Sequence, residues 1–398
     1  MRNLFLLSVM STLGLLAAAA PAPEARWWRG NTHTHTLWSD GDAPPEMVAA
    51  WYKSNGYHFL VLSDHNVVAQ AEKWRKVGKE KGEVSPQVVA RLKDRAVLRE
   101  RDGVQEMRLR PLAEVRQEHE EAGRFIMIPG EEISDGVLEA GVRKPIHHNS
   151  MNHTHLIPPA GGSTVREVLE RTIAAVEAES KRSGKPVLVH LNHPNFHWGV
   201  TADDIAHVKG ERFFEVYNGH RGVRNHGDAE HRSTEAIWDY VLALRLGKLG
   251  GPPLYGLATD DAHNYHQDRA QAVSSTGRGW IWVRAETLTP DAIVQALMAG
   301  DFYASSGVKL ASIVRGPGVL SVQVEAEPGV TYKTRFIGTR KGSEKIGEVL
   351  QETAGVEASY RLKGDELYVR AVVVSDRHHP NPYAPEDMES AWIQPLVP

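Results

Sequence analysis

The chain has no cysteine among its 398 residues. Disulfide bridges, thiolate zinc sites, iron–sulfur clusters and cysteine nucleophiles are therefore all excluded. An excess of positive charge is also lacking, because 46 Lys and Arg side chains stand against 50 Asp and Glu, for a net charge of −4. We therefore expect no stable nucleic-acid partner, since such partners require a basic surface.

Long hydrophobic runs are missing from most of the chain, with one exception at its start. Arg2 precedes an apolar stretch over residues 4–20 that ends in small residues and prolines. This pattern predicts a secretory signal peptide over residues 1–25, with an uncleaved membrane anchor as the alternative. We therefore expect an exported protein, periplasmic or secreted, that contacts a membrane only through this segment.

Histidine is unusually abundant: its 20 copies outnumber Phe (8), Trp (10) and Tyr (11). In a chain without cysteine, many imidazoles and carboxylates favour a metal held by nitrogen and oxygen atoms. The 41% of hydrophobic residues is enough to bury a core, and 24% of charged residues is ordinary for a soluble protein. The length fits two domains, or one large barrel with an appendage.

Seven short apolar segments have the composition of β-strands, and each ends in polar residues of the kind that bind metals. They cover residues 27–31, 57–62, 125–128, 145–146, 186–189, 213–216 and 254–258. Helical patterns separate several of them, over residues 44–54, 112–122, 164–183 and 234–249. Strands that alternate with helices predict a parallel α/β sheet, and functional residues at the strand ends are typical of a barrel.

The polar residues at these strand ends are candidate metal ligands. His33 and His35 are two positions apart, so their side chains lie on the same face of a strand. Any single residue of this kind is more often an ordinary polar group, but about eight in equivalent positions favour a shared site. The set is His33, His35, His65, one of Glu131 and Glu132, one of His147 and His148, His193, Asp261 and His263.

Residues 73–110 interrupt the alternation of strands and helices with twelve basic and six acidic side chains. This insertion either covers the mouth of the site and attracts an anionic substrate, or forms a solvated helical segment. From residue 309 onward, apolar and polar residues alternate over 319–326, 332–339, 358–362 and 366–375. We therefore expect a barrel over residues 26–308 and a small antiparallel β-domain over 309–398.

The order and wording of seven motifs resemble the polymerase and histidinol phosphatase (PHP) superfamily, and the layout resembles its exported, carbaryl-hydrolase-like branch. The resemblance covers about residues 26–307. The motifs are His33-Thr-His35, Ser39-Asp40-Gly41, Ser63-Asp64-His65-Asn66, Gly130-Glu131-Glu132, Pro145-Ile146-His147, Asn192-His193-Pro194 and Asp261-Ala262-His263.

The resemblance implies a distorted (β/α)7 barrel and two or three divalent metal ions (Zn, Mn or Fe). It assigns one ion to His33, His35, Glu132 and Asp261. It assigns a second ion to Glu132, His147 and His193, and a third to Asp40, His65 and His263. Relatives often have His at position 40, and a carboxylate there suits a harder ion such as Mn better.

Four further residues are candidates for catalysis. Asp64 and Asp260 would orient histidine N–H groups, with strand-end capping as the alternative. His220, in a motif over residues 215–220, would face the substrate, and Arg221 would bind a phosphate; packing and an ordinary charged loop are the alternatives. His190, in the middle of an apolar strand, is interpreted as a hydrogen-bonded core histidine.

The implied activity is that of a metal-dependent hydrolase, a phosphoesterase in which a hydroxide bridging two metals attacks the ester. A carboxyl or carbamate ester hydrolase using the same metals is the alternative, and an inactive metal-binding or structural module is a third. The expected partner is a small anionic or ester substrate. The sequence does not indicate an oligomeric state.

Overall fold

A computed structural model describes residues 24–269 and 271–398. The predicted signal peptide lies outside the described residues, apart from Glu24 and Ala25. Among the helices of the described segments, none has both the length and the apolar character needed to cross a membrane.

The described helices are α1 (Pro45–Ser54), α2 (Pro86–Leu92), α3 (Leu112–His119), α4 (Val165–Ser183), α5 (Ala202–His207), α6 (Thr234–Leu244) and α7 (Pro290–Met298). All four predicted helices are therefore present. The longest, α4, begins where the Thr164 side chain accepts a hydrogen bond from the Glu167 N–H, and it ends at Gly184, whose φ is +67°. Only glycine adopts that backbone conformation without strain, so the sequence itself ends the helix there.

The first ten strands are β1 (Arg26–Asn31), β2 (Phe59–Leu62), β3 (Lys73–Lys76), β4 (Leu98–Arg101), β5 (Val104–Leu109), β6 (Ile126–Glu139), β7 (Val142–Met151), β8 (Leu188–Leu191), β9 (Phe213–Asn218) and β10 (Tyr255–Thr259). The other nine are β11 (Trp280–Ala285), β12 (Phe302–Ser305), β13 (Leu310–Gly316), β14 (Val319–Val324), β15 (Tyr332–Arg340), β16 (Glu348–Ala354), β17 (Glu357–Arg361), β18 (Glu366–His378) and β19 (Met388–Leu396).

The fold is mixed α/β and is organised around a sheet of 13 strands, in the order β10-β9-β8-β7-β6-β2-β1-β11-β12-β19-β18-β15-β16. The seven predicted strands are all present as β1, β2 and β6 to β10, and they are neighbours at one side of this sheet. From β1 the ladder continues to β11, so it does not show a closed barrel of seven strands.

The prediction that these strands are all parallel is wrong at β7. That strand runs antiparallel to both β6 and β8, while β1–β2, β2–β6, β8–β9 and β9–β10 are parallel pairs. The reason is local: Ala140 and Gly141, with φ of +48° and +79°, form a tight turn that returns the chain at once. A two-residue turn joins antiparallel strands, whereas a parallel crossover needs a dozen or more residues.

In the charged insertion, residues in strands outnumber those in helices, so the prediction of a solvated helical segment is wrong. Strands β3, β5 and β4 form a separate antiparallel sheet, and α2 is the insertion's one α-helix. Asp102 and Gly103, both with positive φ, make the turn between β4 and β5. Arg and Lys are compatible with such exposed strands because only one face needs to be apolar.

Four C-terminal strands, β15, β16, β18 and β19, extend the large sheet through the pairing of β12 with β19, whereas β13, β14 and β17 form a separate three-stranded sheet. The four strands predicted after residue 309 are present as β14, β15, β17 and β18, and β13, β16 and β19 were not predicted. The division into domains at residue 308 remains a prediction.

A buried ion pair joins helix α6 to the C-terminal strand β18. Both ends of the Arg370 guanidinium donate to Asp239, at 2.7 Å each, and Tyr368 donates to the same carboxylate at 2.9 Å. Arg370 is almost fully buried, so its charge depends on these partners.

We expect Asp239→Ala to lower the free energy of unfolding by about 3 kcal/mol or more, because it leaves the Arg370 charge buried with only Glu235 nearby. Urea unfolding followed by circular dichroism measures the change. Lys333→Ala, which removes an exposed pair with Glu352, is the matched control and should have little effect. Equal effects of the two substitutions would contradict the structural role of the α6–β18 pair.

Candidate metal centre

The predicted ligands come together around the carboxylate of Glu132, which lies in β6 and is completely buried. Its Oε1 atom is 3.0 Å from His147 Nδ1 and 3.4 Å from His193 Nε2. Its Oε2 atom is 2.7 Å from His65 Nδ1. The histidines with a nitrogen within 3.5 Å of one or other oxygen are His33, His35, His65, His147 and His193.

Asp261 and Asp40 lie on two other sides of this cluster. Oδ1 of Asp261 is 3.2 Å from Nε2 of both His33 and His35. Oδ1 of Asp40 is 3.3 Å from His263 Nε2, and its side chain is 35% exposed. The Asp40 side of the cluster therefore faces the mouth of the site, while the Asp261 side is buried.

All nine predicted metal ligands thus lie in one cluster. Four groups of ligand atoms lie within 4.8 Å of one another: His35-Asp40-His65-His263, His33-His193-Asp261, His33-His35-Glu132 and His65-Glu132-His147. The grouping differs from the predicted one: His193 groups with His33 and Asp261, and His35 also belongs to the group of Asp40. His65 faces Glu132 with one ring nitrogen and Asp40 with the other, so it lies between two of the groups.

The donor set fits divalent metal ions. Among the described residues, Glu132 Oε2 and Asp40 Oδ1 are buried atoms without a hydrogen bond of acceptable geometry. The Nε2 atoms of His33 and His35 are 3.1 Å apart, close enough to share one ion. Buried polar atoms almost always have a partner, and imidazole with carboxylate is a usual ligand set for Zn, Mn and Fe.

The electrostatics of the cluster keep its carboxylates ionised. Burial raises the pKa of Glu132, but the surrounding imidazoles, His65 first, outweigh it and hold that pKa well below the usual range. The same balance lowers the pKa of Asp261, where His33 is the largest favourable contributor. Burial, and then the nearby rings of His263 and His65, lower the pKa of His35 to about 3. Metal ligands must be deprotonated, and these three residues meet that condition. Burial lowers the pKa of four other ligand histidines, but the carboxylates outweigh it and raise the pKa of His33, His65, His193 and His263, from which a metal would displace the proton.

Two of the ligands have a strained backbone. His193 has a φ of +22° and Asp261 a φ of +49°, in the left-handed region that residues with a Cβ rarely adopt. Each such residue costs on the order of 1–3 kcal/mol, so the surrounding structure must hold it in place. Strain at two ligands is consistent with a functional site.

Glu215, in β9, orients one of the ligands and was not predicted to do so. Its Oε1 atom is 2.7 Å from His33 Nδ1, which leaves the Nε2 atom of His33 facing the cluster. Its Oε2 atom accepts hydrogen bonds from the His193 backbone N–H and from the Asn218 amide, both at 2.8 Å. The sequence placed Glu215 in a motif but contained no signal that it would meet His33, 182 positions away.

Asp64 and Asp260 do not orient histidines, so that prediction is wrong and the capping alternative fits. Asp64 accepts hydrogen bonds from the backbone and hydroxyl groups of Thr36 and Ser39. Asp260 accepts from the backbone N–H groups of residues 277–279. Each carboxylate is next to a ligand in sequence and therefore points to the other side of the backbone, where it stabilises a loop.

The same alternation of side chains along a strand determines which member of each ambiguous pair, Glu131/Glu132 and His147/His148, faces the cluster. Glu131 points away from the cluster and accepts a hydrogen bond from the Ile157 N–H at 2.7 Å. Burial raises the pKa of Glu131 to about 7. His148 also points away and contacts Glu211 at 2.8 Å. Glu132 and His147 are the members of these pairs that face the cluster.

The predictions for Arg221, His220 and His190 are compared with the structure one by one. Arg221 donates to the Pro382 carbonyl at 3.2 Å and does not line the cavity, so its predicted role in binding phosphate is wrong. His220 does line the cavity. His190 is buried as predicted, but neither ring nitrogen has a hydrogen-bond partner among the described residues, so the interpretation as a hydrogen-bonded histidine is wrong.

The insertion over residues 73–110 holds the loop that carries Asp40. Lys73 donates to the Trp38 carbonyl. Arg75 donates to the carbonyls of Leu37 and Ser39, at 3.0 and 2.6 Å. These cations are thus used to position the loop rather than to attract a substrate.

A cavity of about 450 Å³ opens above the cluster. Its walls include three apolar side chains, Phe196, Val223 and Val273. One insertion side chain lines it: Lys81, whose Nζ atom is 3.9 Å from Asp40 Oδ2. The cavity has the size of a site for a small ligand.

No family model matches the chain, and no curated protein matches it either. One similar solved structure is a two-domain protein from Bacteroides vulgatus containing a predicted PHP-like metal-dependent phosphoesterase. It is 14% identical, with a TM-score of 0.41, over 96% of this chain and 100% of that one. Another, a proposed metal-dependent phosphoesterase from Bifidobacterium adolescentis, is 12% identical, with a TM-score of 0.32, over 62% of this chain and 92% of that one. Similarities this low carry no argument about the present chain.

We expect Glu215→Gln to weaken metal binding by about 10- to 100-fold, because the carboxylate that orients His33 is lost. Competition with a chromogenic chelator measures the affinity for Zn²⁺. Glu211→Gln is the matched control, since Glu211 is an equally buried carboxylate on a histidine that faces away from the cluster. Equal affinities of the two variants would contradict the role of Glu215.

Arg75→Ala should release the loop before Asp40 and lower the number of bound ions by about one, while the ions held by Glu132 and Asp261 remain. Metal analysis after dialysis gives the stoichiometry. The control is Arg99→Ala in the same insertion, where the arginine pairs with Glu106 instead. An unchanged stoichiometry in Arg75→Ala would show that the insertion does not support this part of the cluster.

Proposed function

We propose that the chain is a metal-dependent hydrolase of the PHP type that cleaves small esters, with phosphoesters as the leading substrate class. The observation that carries this proposal is the position of Glu132, whose oxygens face nitrogens of five histidines. An inactive module would have lost some of these ligands, whereas here nearly every ligand position of the resembled family is filled.

Strands β1, β2 and β6 to β10 would form the distorted (β/α)7 barrel, followed by the C-terminal β-domain. An isolated parallel bridge between Thr34 and Ala262 supports this arrangement, because it joins the segments that follow β1 and β10. The His35 N–H donates to the Ala262 carbonyl at 2.9 Å in that bridge. The segments that follow the first and last of the seven strands are therefore in contact beside the ligands His35 and Asp261.

Two or three divalent ions (Zn, Mn or Fe) would be held by the nine clustered residues. When bound, such ions supply an activated water and offset the negative charge that develops on the attacked ester. The chain's own residues position the ligands and the substrate. Glu215 and Asn218 keep His33 and Asp261 in place, with the Asn218 amide 3.2 Å from Asp261. Lys81 provides a positive charge at the mouth for an anionic substrate.

A carboxyl or carbamate ester hydrolase is the second candidate. Phe196, Val223 and Val273 give the cavity an apolar wall, and none of the arginines in the described segments lines it. Phosphate sites favour arginine because of its paired donors, so this lining also suits an ester of low charge. The resemblance to the exported, carbaryl-hydrolase-like branch agrees with this candidate. We propose export to the periplasm from the signal-peptide pattern of residues 1–25.

The test is hydrolysis by the protein loaded with Zn²⁺ or Mn²⁺, using 4-nitrophenyl phosphate, bis(4-nitrophenyl) phosphate and an aryl carbamate. We expect His33→Ala and Asp261→Ala to lower the rate by more than about 100-fold, because even the outer partners of metal ligands contribute about 10- to 100-fold. Both variants should also lose bound metal while their far-ultraviolet circular dichroism stays unchanged.

The exposed His155, remote from the cluster, provides the control: His155→Ala should keep full activity. Full activity in His33→Ala or Asp261→Ala would overturn the assignment of the cluster as the active site. Hydrolysis of the carbamate alone would favour the second candidate.

A further inference from the structure

His220 lies in the loop after β9 and lines the cavity above the cluster, but it belongs to none of the four groups of ligand atoms. Its ring is 5.9 Å from the ring of His263, measured between centroids. It therefore lies beside the metal centre, where a bound substrate would contact it.

A hydrogen bond within the loop determines which nitrogen of His220 carries the proton. The backbone N–H of Gly222 donates to Nδ1 of His220 at 3.0 Å. A backbone N–H is always a donor, so Nδ1 must be the acceptor and have no proton. A neutral imidazole carries one proton, which therefore lies on Nε2.

Two more contacts fix the backbone of His220. The Asn218 side chain accepts a hydrogen bond from the His220 N–H at 2.8 Å, and the His220 carbonyl accepts one from the Val223 N–H at 3.1 Å. Because Nδ1 faces Gly222, Nε2 is the ring nitrogen that can contact a molecule in the cavity. Among the described residues, none forms a hydrogen bond with it.

We propose that His220 is a fixed hydrogen-bond donor that binds an oxygen of the substrate through Nε2–H, and that Gly222 is the residue that positions it. The proposal rests on the hydrolase function proposed above. It restricts the substrate to molecules that present a hydrogen-bond acceptor to His220. The atom facing His220 is an acceptor, a phosphoryl or carbonyl oxygen, and not a hydroxyl or amine proton.

The same geometry opposes a role of His220 as the acid that protonates the leaving group. An acid would need the doubly protonated ring, whose Nδ1–H would then face the Gly222 N–H, donor against donor. A neutral ring can donate a hydrogen bond from Nε2 but does not give up that proton near neutral pH.

The absence of a side chain at position 222 is necessary for this arrangement. A Cβ there would lie 2.8 Å from Cε1 and 3.1 Å from Nδ1 of His220. Gly222 does not have a positive φ, so alanine is compatible with its backbone and would act only by displacing the ring. Gly251→Ala is the matched control, because its Cβ would meet only ordinary contacts at 3.5 Å or more.

The tautomer can be measured without any activity. Long-range ¹H–¹⁵N spectra of the Zn²⁺-loaded protein distinguish protonated from unprotonated ring nitrogens, and the missing signals in His220→Gln assign the residue. We expect the proton on Nε2 in the unmutated protein and in Gly251→Ala, and a changed pattern in Gly222→Ala. Addition of inorganic phosphate should shift the Nε2–H signal. A proton on Nδ1, or no response to phosphate, would overturn the proposal.

Kinetics with the best phosphoester of the panel test the role in binding. His220→Ala and His220→Asn should lower kcat/KM by about tenfold, the effect of one hydrogen bond. His220→Gln, whose amide nitrogen can replace Nε2, should recover most of it. The loss should be equal for phenyl and 4-nitrophenyl esters. A much larger loss for the phenyl ester would mean that His220 protonates the leaving group, which contradicts the proposal.

The NMR and the kinetic measurements together distinguish a failure of the role proposed for His220 from a failure of the hydrolase assignment. A protein that hydrolyses nothing in the panel would overturn the hydrolase assignment, while the tautomer and the phosphate response would still decide the state of His220. Normal hydrolysis with no effect of Gly222→Ala or His220→Ala would overturn only the role of His220.

Discussion

The two oxygens of the Glu132 carboxylate lie within 3.5 Å of nitrogens from five histidines, in a place that solvent does not reach. A buried carboxylate is costly unless positive charge compensates it. The histidines reach it from segments that are far apart in sequence, from residue 33 to residue 193. The sheet order that places β6 beside β2 and β7, and β8 next to β7, is what allows them to meet.

The residues around the cluster hold the ligand side chains in position and are not themselves ligands. Glu215 holds His33 from behind, and Asn218 links Glu215 to Asp261. The insertion holds the carbonyls before Asp40. Such supporting contacts decide the direction in which each ligand points, and this direction decides whether a metal can bind. The proposed role of Gly222 follows the same principle, applied to a residue that would contact the substrate.

Most of the predicted ligands follow the ends of strands and could be inferred because strand ends share one edge of a sheet. Glu132 and His147 instead lie inside the long strands β6 and β7, where this reasoning does not apply. The seven strands were also inferred correctly, since each is a short apolar segment. The direction of β7 was not, because the turn at Ala140 and Gly141 was not recognised as a hairpin. A solvated helical segment was one of the two alternatives for the insertion, and charge does not distinguish an exposed helix from an exposed strand.

The roles of the supporting carboxylates could not be inferred in the same way. Asp64 and Asp260 are next to ligands in sequence, yet alternation along the chain turns them to the opposite side. Glu215 lies inside a strand and meets His33 only through the tertiary fold. Contacts across 182 positions are set by packing, which no local pattern contains. The cluster itself was accessible to sequence reasoning, whereas the side chains that orient it were not.

Anomalous X-ray diffraction from crystals of the protein loaded with Zn²⁺, recorded at the zinc edge, tests the central claim most directly. Two or three strong peaks are expected inside the cluster, with at least one of them about 2.0–2.2 Å from an oxygen of Glu132 and from histidine nitrogens. Zinc bound only elsewhere on the chain, or a cluster without any peak, would contradict the account.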